Sequence, residues 1–198
     1  MVVFGITGGS GSGKTSVSKM LEKLGVHIID TDVIAHEIVE PNSDCLNELV
    51  DYFGDSILND DKTLNRKKLA SIAFSDKQKT EALSNITHKY IKVEVVKDIN
   101  TTDAELVGID GAVIIGSNVE PLCEFIVSVI ADKQSRITRI KTRDKITDEQ
   151  AIQRINAQND DEFYKENSMY IIYNNGDIAQ LESDVVVLFN KIKGNSFE

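Results

Sequence analysis

The sequence has few of the residues that mark extracellular, multidomain or membrane proteins. Its two cysteines, Cys45 and Cys123, are too few for a disulfide framework and lack metal-ligand spacing. With only two prolines, it contains no Pro- or Ser-rich stretch that would separate independent domains. No run approaches the roughly 20 apolar residues of a membrane span, and the first residues lack a charged leader. We therefore expect a cytoplasmic protein of one domain, without a membrane partner.

Basic charge is also scarce. The 22 Lys and Arg residues are outnumbered by 32 Asp and Glu residues, which gives a formal net charge of −10. A nucleic-acid-binding protein usually has the opposite balance, so we expect no nucleic-acid partner. A phosphorylated small molecule is not excluded, but its site must be built locally from backbone N–H groups and a few cations.

Short apolar runs alternate with helical patterns along much of the chain. Val2–Ile6 predicts a buried strand that meets glycines, and Val26–Ile29 predicts a second strand. Between them, Val17, Met20 and Leu21 recur at helical spacing. This order indicates an α/β fold with a parallel sheet. Further strands are predicted at Leu106–Ile109, Val113–Ile115, Phe125–Ile130 and Met169–Tyr173, before a closing helix at Ile178–Ile192.

Two polar helical stretches interrupt this alternation. Asp76–Ile99 predicts a long helix and therefore an insertion outside the sheet. Lys133–Gln158 predicts two helices, of which the second opens at a capping box formed by Thr147 and Gln150. The predicted single domain has a core of residues 1–58, 104–132 and 168–198, an insertion of about 59–103, and a second helical segment of about 133–167.

The clearest motif is Gly8–Thr15, which satisfies the P-loop pattern completely. Its glycines let successive backbone N–H groups converge on phosphate oxygens, and the following helix adds a favourable dipole. Lys14 can reach the β- and γ-phosphates, and the Thr15 hydroxyl can coordinate Mg²⁺. The sequence thus predicts ATP and Mg²⁺ as ligands, with ATP held by Gly9, Ser10, Gly11, Ser12, Gly13, Lys14 and Thr15. A GTPase switch is disfavoured because no Asn-Lys-x-Asp guanine signature is present.

Two aspartates follow the second predicted strand. A kinase needs a group that aligns or deprotonates the acceptor hydroxyl, and the carboxyl ends of strands in open α/β sheets face the ligand crevice. We assign the base role to Asp32 and a metal-binding or orienting role to Asp30. The alternative for Asp30 is a helix cap.

Arginines are clustered in the segment after residue 133. Arg136, Arg139 and Arg143 are spaced three and four apart, so they lie along one face of the predicted helix. Arginines that close over ATP accelerate phosphoryl transfer by ~10³-fold or more. The alternative is a solvated helix face paired with nearby carboxylates.

With these residues in place, the chain resembles the dephospho-coenzyme A kinases over nearly its whole length. Besides the P-loop, the resemblance rests on Asp-Thr-Asp at 30–32, Thr63–Arg66, and an Arg-x-x-x-Arg-Asp segment at 139–144. Further matching segments, in the family's order, are Leu24–Ile29, Val39–Asn42, Phe53-Gly54, Ala73–Asp76, Ile86–His88, Ala157-Gln158 and Asn174–Gly176.

The resemblance implies a P-loop NTPase-type three-layer fold and the last step of coenzyme A synthesis. In that reaction, the γ-phosphoryl group of ATP passes to the ribose 3′-hydroxyl of dephospho-coenzyme A, giving coenzyme A and ADP. The insertion would receive the acceptor, and residues 133–167 would form a lid. Carried over by position, the catalytic residues would be Asp32, Lys14 and Arg139. Arg66, His88 and Asp32 would bind the acceptor, and Arg143, Asn175 and Gly176 would bind ATP.

The chain departs from the family pattern at three places. Lys89 stands where the family usually has proline, Ala112–Gly116 replaces Pro-Leu-Leu-Phe-Glu, and Tyr173 replaces an aspartate. Asp110, just upstream of the second departure, is a candidate replacement carboxylate. Two alternatives therefore stay open: a P-loop nucleoside or nucleoside-monophosphate kinase acting on another acceptor, and a non-catalytic nucleotide-binding relative. We expect a monomer or weak homo-oligomer.

Overall fold

The structure is a computed structural model that describes residues 1–195. Within these residues a five-stranded, fully parallel sheet has the order β2-β3-β1-β4-β5. Its strands are β1 (Val2–Thr7), β2 (His27–Asp30), β3 (Leu106–Asp110), β4 (Phe125–Ile130) and β5 (Tyr170–Tyr173). Because every pair is parallel, all five carboxyl ends lie at one edge of the sheet, which is where ligands bind in open α/β folds.

The chain divides into two compact units. One comprises Met1–Asp30 together with the chain from Thr102 onward, and the other is Thr31–Thr101. The first unit contains the sheet and the helices α1 (Lys14–Lys23), α6 (Lys133–Asp144), α7 (Asp148–Asn156), α8 (Asp161–Glu166) and α9 (Ile178–Asn195). The second contains α2 (Thr31–Glu37), α3 (Asp44–Phe53), α4 (Arg66–Ala73) and α5 (Lys77–Thr101).

Helices cover both faces of the sheet. On one face, α1 and α9 pack on β1, β4 and β5 through a continuous apolar core. On the other, α8 packs on β4, and Cys123 and Ile114 lie against β1 at Gly5. All five residues of β3 are buried, as expected for a strand covered on both faces. The predicted α/β fold with a parallel sheet is confirmed.

The segment after β4 has its own small apolar cluster. Ile137 and Ile140 of α6 pack on Ala151 and Ile155 of α7, and burying an aliphatic side chain of this size contributes about 1.5–3 kcal/mol. Asp132 caps α6 by accepting from the Ser135 N–H at 2.9 Å. The hydrogen bond from the Ser135 hydroxyl, and then the one from this N–H, lower the pKa of the Asp132 carboxyl. The predicted capping box at α7 is confirmed. These two helices therefore form a cohesive element.

The second unit is entirely helical apart from an isolated bridge between Leu58 and Leu64. The predicted long helix is present as α5, and α2, α3 and α4 pack against it. The Asn65 side chain caps α4 by accepting from the Lys68 N–H at 3.0 Å. Among the described residues, no helix has both the length and the apolar character needed to cross a membrane.

The strand predicted at Val113–Ile115 is wrong. These residues form bends and turns after β3, with Gly116 at φ +78° and the Ser117 N–H donating to the Ile114 carbonyl at 3.0 Å. Ile114 is 1% exposed and Val113 is 67% exposed. The apolar run therefore covers the sheet at one residue instead of extending it.

Candidate active site

The predicted phosphate-binding loop joins β1 directly to α1. β1 ends at Thr7 and α1 begins at Lys14, so Gly8–Gly13 form the turn. Gly13 is the N-cap of α1 with φ +98°, and a Cβ at this position would collide with Nδ2 of Asn174. Glycine is therefore required here for both conformation and space. Because the first turn of a helix leaves N–H groups without intrahelical partners, a helix that begins at the loop offers donors to phosphate oxygens.

Lys14 forms an ion pair with Asp110. Its Nζ donates to Oδ1 of Asp110, and the two side chains are 14% and 4% exposed. Asp110 is the last residue of β3, the strand beside β1, and its register partner in β1 is Ile6. The loop cation is thus held at the carboxyl edge of the sheet by a buried carboxylate.

Oxygen donors that suit Mg²⁺ lie along the same edge. Asp30 ends β2 and is the register partner of Asp110; neighbouring strands are about 4.8 Å apart. Thr15 follows Lys14 and is exposed. The described residues contain no cluster of three or more metal-ligating side chains, but Mg²⁺ needs only one or two carboxylates when phosphates and waters complete its shell. The donor chemistry therefore fits the predicted metal, with Asp110 added to Thr15 and Asp30.

Arg139 lies against the loop. Its Nη1 donates to the carbonyls of Gly11 and Ser12, both at 3.2 Å, and its Nη2 donates to the backbone carbonyl of Asn174 at 2.9 Å. The Asn174 side chain, 7% exposed, donates to the Ser12 carbonyl at 2.8 Å. In this conformation Arg139 supports the loop backbone and the turn after β5, and it lies next to the phosphate site.

The structure does not bring Arg143 to the loop. Its guanidinium donates to both carboxylate oxygens of Asp144, at 2.7 and 2.9 Å, and Arg154 also donates to Asp144. The hydrogen bonds from Arg143 hold the pKa of Asp144 below its ordinary value. The Arg143 side chain is 61% exposed, so it is accessible to solvent at the end of α6. Its ATP-binding role stays a prediction.

Asn175 and Gly176 lie in the turn between β5 and α9. The Asn175 side-chain carbonyl accepts from the Asp132 N–H at 2.8 Å, which ties the turn to the start of α6. Gly176 is exposed, and a Cβ there would meet only Gln180, at 3.4 Å. The turn after β5 is therefore joined to the turn after β4 at the carboxyl edge.

The three acceptor-side residues belong to the second unit. Asp32 lies in the first turn of α2 and is exposed. Arg66 begins α4 and donates to the His36 carbonyl at 3.5 Å. His88 lies in the middle of α5 and is half-buried. Their roles in acceptor binding and catalysis stay predictions.

The loop contacts two residues that the sequence did not single out, Gln158 and Asn174, together with Arg136 of the arginine face and Asp110, a candidate replacement carboxylate. Arg136 and Gln158 hydrogen-bond to Ser10, and Asn174 bonds to Ser12. A signal existed for Asp110, because a carboxylate that ends an apolar strand run faces the ligand edge. For Gln158 and Asn174, the sequence offered only their positions in two of the segments that match the family, Ala157-Gln158 and Asn174–Gly176.

Comparisons with known proteins agree with this geometry. A family model described as dephospho-CoA kinase matches residues 2–180. A dephospho-CoA kinase of Lactobacillus johnsonii is 34% identical over 191 residues, which cover 95% of this chain and 96% of the relative.

Solved structures share the fold. TT1252 from Thermus thermophilus superposes with a TM-score of 0.83 at 24% identity, covering 96% of this chain and 97% of its own. A dephospho-CoA kinase from Campylobacter jejuni superposes with a TM-score of 0.69 at 26% identity, covering 98% of both chains. The chain belongs to the dephospho-CoA kinase family.

Proposed function

We propose that this protein transfers the γ-phosphoryl group of ATP to the ribose 3′-hydroxyl of dephospho-coenzyme A, forming coenzyme A and ADP. The observation that carries the proposal is the Lys14–Asp110 pair beside a complete phosphate-binding loop, in a chain whose family matches along nearly its full length. The bond between the γ-phosphorus and the β–γ bridging oxygen breaks, and a bond from the acceptor oxygen to phosphorus forms.

ATP binding is assigned to the loop. Backbone N–H groups of the loop, other than those of Ser10 and Ser12, which donate to Gln158 and to the Gly9 carbonyl, would donate to phosphate oxygens, and Lys14 would leave Asp110 for the β- and γ-phosphates. Such an exchange keeps the lysine paired at every stage, which matters because an unpaired charge in a buried site is costly. Arg139 and Arg143 would stabilise the transferring group, and Asn175 and Gly176 would lie beside the adenine.

Mg²⁺ would be held by Thr15, Asp30 and Asp110, all oxygen donors at the carboxyl edge. When bound, Mg²⁺ supplies charge neutralisation on the β- and γ-phosphate oxygens. Asp110 would then exchange Lys14 for the metal, so both members of the buried pair gain new partners.

The acceptor side is assigned to Asp32 and to the helical insertion. Asp32 would orient the 3′-hydroxyl and accept its proton, and Arg66 and His88 of the insertion would bind the rest of the acceptor. We propose the same partition as above: a single P-loop kinase domain with an acceptor-binding insertion of about 59–103 and a lid of about 133–167. We further propose a cytoplasmic monomer or weak homo-oligomer.

A different acceptor is the second candidate function. The segment Ala112–Gly116, which differs from the family pattern, contributes four residues to a cavity of about 190 Å³. Thr7, Gln158 and Tyr164 are among the other residues that line this cavity. This cavity adjoins the end of β1, so a changed lining there is placed to alter acceptor choice. A nucleoside or nucleoside monophosphate would be the corresponding substrate.

The test is ADP release with ATP and Mg²⁺ in the presence of dephospho-coenzyme A, adenosine, AMP or no acceptor. We expect ADP only with dephospho-coenzyme A, with coenzyme A identified as the product by mass spectrometry. Lys14→Ala serves as the loop-deficient control and should lose both ATP binding and turnover. Equal or faster turnover with AMP or adenosine would favour the second candidate, and ATP binding without turnover on any acceptor would contradict both.

A further inference from the structure

Two side chains hold the backbone on both sides of Ser10 in the phosphate-binding loop. The Ser10 N–H donates to Oε1 of Gln158 at 2.7 Å, and the Ser10 carbonyl accepts from Nε of Arg136 at 3.0 Å. These two groups belong to successive peptide planes, Gly9–Ser10 and Ser10–Gly11. Together, the two contacts fix the orientation of both planes.

Gln158 and Arg136 are also joined to each other. Nη2 of Arg136 donates to Oε1 of Gln158 at 3.3 Å, so one amide oxygen accepts from both the loop and the guanidinium. Nη1 of Arg136 lies 3.6 Å from Asp161 at the start of α8. Side chains from two places in the segment after β4 therefore meet at Ser10, and a third, that of Asp161, lies against Arg136.

The burial of Arg136 indicates that this contact is specific. The residue is 5% exposed, and a buried guanidinium is unfavourable unless its donors are matched. A Cβ on Gly9 would collide with the Arg136 guanidinium, and a Cβ on Gly11 would lie 2.7 Å from the backbone carbonyl oxygen of Arg136. Arg136 therefore contacts the loop directly, and only glycine leaves enough space for it at positions 9 and 11.

Holding these peptide planes has a consequence for ligand binding. A glycine-rich loop loses much conformational entropy when it is ordered around phosphate. If the loop backbone is already fixed in the free protein, nucleotide binding does not have to order it, and the affinity for nucleotide is higher.

We propose that Arg136 and Gln158 are positioning residues that preorganise the phosphate-binding loop through the peptide planes around Ser10. Their observed contacts are with the loop backbone and not with reacting atoms, so they act on nucleotide binding through the loop. The inference rests on the proposed role of the loop as the ATP site.

Two substitutions of Gln158 test the proposal. Gln158→Leu removes the acceptor for both the Ser10 N–H and the Arg136 guanidinium, and loss of a hydrogen bond of this kind corresponds to about a tenfold weaker ATP Kd. Gln158→Glu keeps an oxygen that accepts from both donors, with a charge-assisted bond to Arg136, so its ATP Kd should weaken less than that of Gln158→Leu even though it adds a negative charge near the phosphates. The readouts are ATP Kd by titration calorimetry, KM for ATP against KM for the acceptor, and the melting temperature.

Arg136→Lys examines the second contact, because lysine keeps the charge and lacks the guanidinium fork. It should raise the KM for ATP severalfold and leave the KM for the acceptor unchanged. Lys141→Gln is the matched control, since Lys141 lies on the same helix and pairs with Asp148 instead of the loop. It should behave as wild type.

The outcomes separate a positioning role from a purely structural one. A Gln158→Leu variant with a lower melting temperature and an unchanged ATP Kd, measured well below that temperature, would overturn the proposal. So would equal weakening by Gln158→Leu and Gln158→Glu. Absence of ATP binding in the wild type would instead break the ATP-site assignment itself.

Discussion

Lys14 of the phosphate-binding loop is paired with Asp110 at the carboxyl end of β3, and Asp110 is only 2% exposed. A nucleotide that uses Lys14 must therefore compete with a buried carboxylate. Separating a buried pair is costly when either charge is left alone. The exchange becomes favourable when phosphate takes the lysine and a divalent cation takes the aspartate.

This relationship predicts opposite effects of Asp110→Asn on two measurements. Without Mg²⁺, the variant should bind ATP at least as tightly as wild type, because Lys14 is released and a negative charge beside the phosphates is removed. With Mg²⁺, turnover should fall at least tenfold, because the metal loses a carboxylate ligand. Calorimetry with and without Mg²⁺ and steady-state ADP release measure the two quantities.

The control for this substitution is Glu182→Gln on the exposed face of α9, which removes the same charge away from the loop. Weaker Mg²⁺-free binding by Asp110→Asn would show that Asp110 supports the loop and does not compete for Lys14.

Sequence patterning predicted most of the fold because buried parallel strands are continuous apolar runs. The error at Val113–Ile115 has a physical origin. A short apolar run fits a strand, but here only Ile114 is buried, in an irregular segment that lies against β1 at Gly5. Helix α8 was not predicted, since a segment of six residues is too short to show a helical period.

The candidate site was likewise predictable only in part. The loop is a local motif, so Gly8–Thr15 was predictable from adjacent residues. The partners of the loop are remote: Asp110 lies 96 residues from Lys14, and Gln158 lies 148 residues from Ser10. Such contacts depend on how strands and helices pack, which spacing along the chain does not encode.

Asp32→Asn tests the base assignment. Because the amide cannot accept the acceptor's proton, we expect turnover to fall at least tenfold while the ATP Kd stays within about twofold of wild type. Glu37→Gln is the matched control, as it removes an exposed carboxylate from the same helix. ADP release and ATP titration check the pair of variants, and full turnover by Asp32→Asn would remove Asp32 from the base role.

Asn174→Ala should destabilise the protein and weaken ATP binding together. The Asn174 side chain donates to the Ser12 carbonyl at 2.8 Å and accepts from Arg139 at 3.3 Å. Leaving such buried groups unsatisfied costs about 1–3 kcal/mol, or roughly 2–4 °C of melting temperature per kcal/mol for a chain of this size. Calorimetric melting and ATP titration measure both effects.

The matched control for Asn174→Ala is Asn175→Ala. It removes an exposed amide one residue away, whose contact is with the Asp132 N–H and not with the loop. We expect it to lower the melting temperature less than Asn174→Ala does. Equal melting losses in the two variants would contradict the importance of the contacts with Ser12 and Arg139.

The ion pair between α3 and α5 predicts a pH-dependent contribution to stability. Glu48 accepts from Lys89 at 2.6 Å and from Tyr90 at 2.7 Å, and the hydrogen bond from Lys89 is the main cause of a lowered pKa for Glu48. The nearby thiol of Cys45 does not interfere with this measurement, because burial raises the pKa of Cys45 to about 11 and the thiol stays neutral below pH 9.

A lowered pKa in the folded state means that the contribution is complete above the unfolded pKa of Glu, about 4.3. It is lost as the pH falls through the lower folded value. Glu48→Gln should therefore melt below wild type at pH 7, and the gap should narrow as the pH falls below about 4.3. Glu81→Gln on the exposed face of α5, where Lys77 lies 3.8 Å away, is the control and should show a smaller gap at pH 7. A gap that persists unchanged at pH 3 would show that packing, and not the ionised carboxylate, accounts for the role of Glu48.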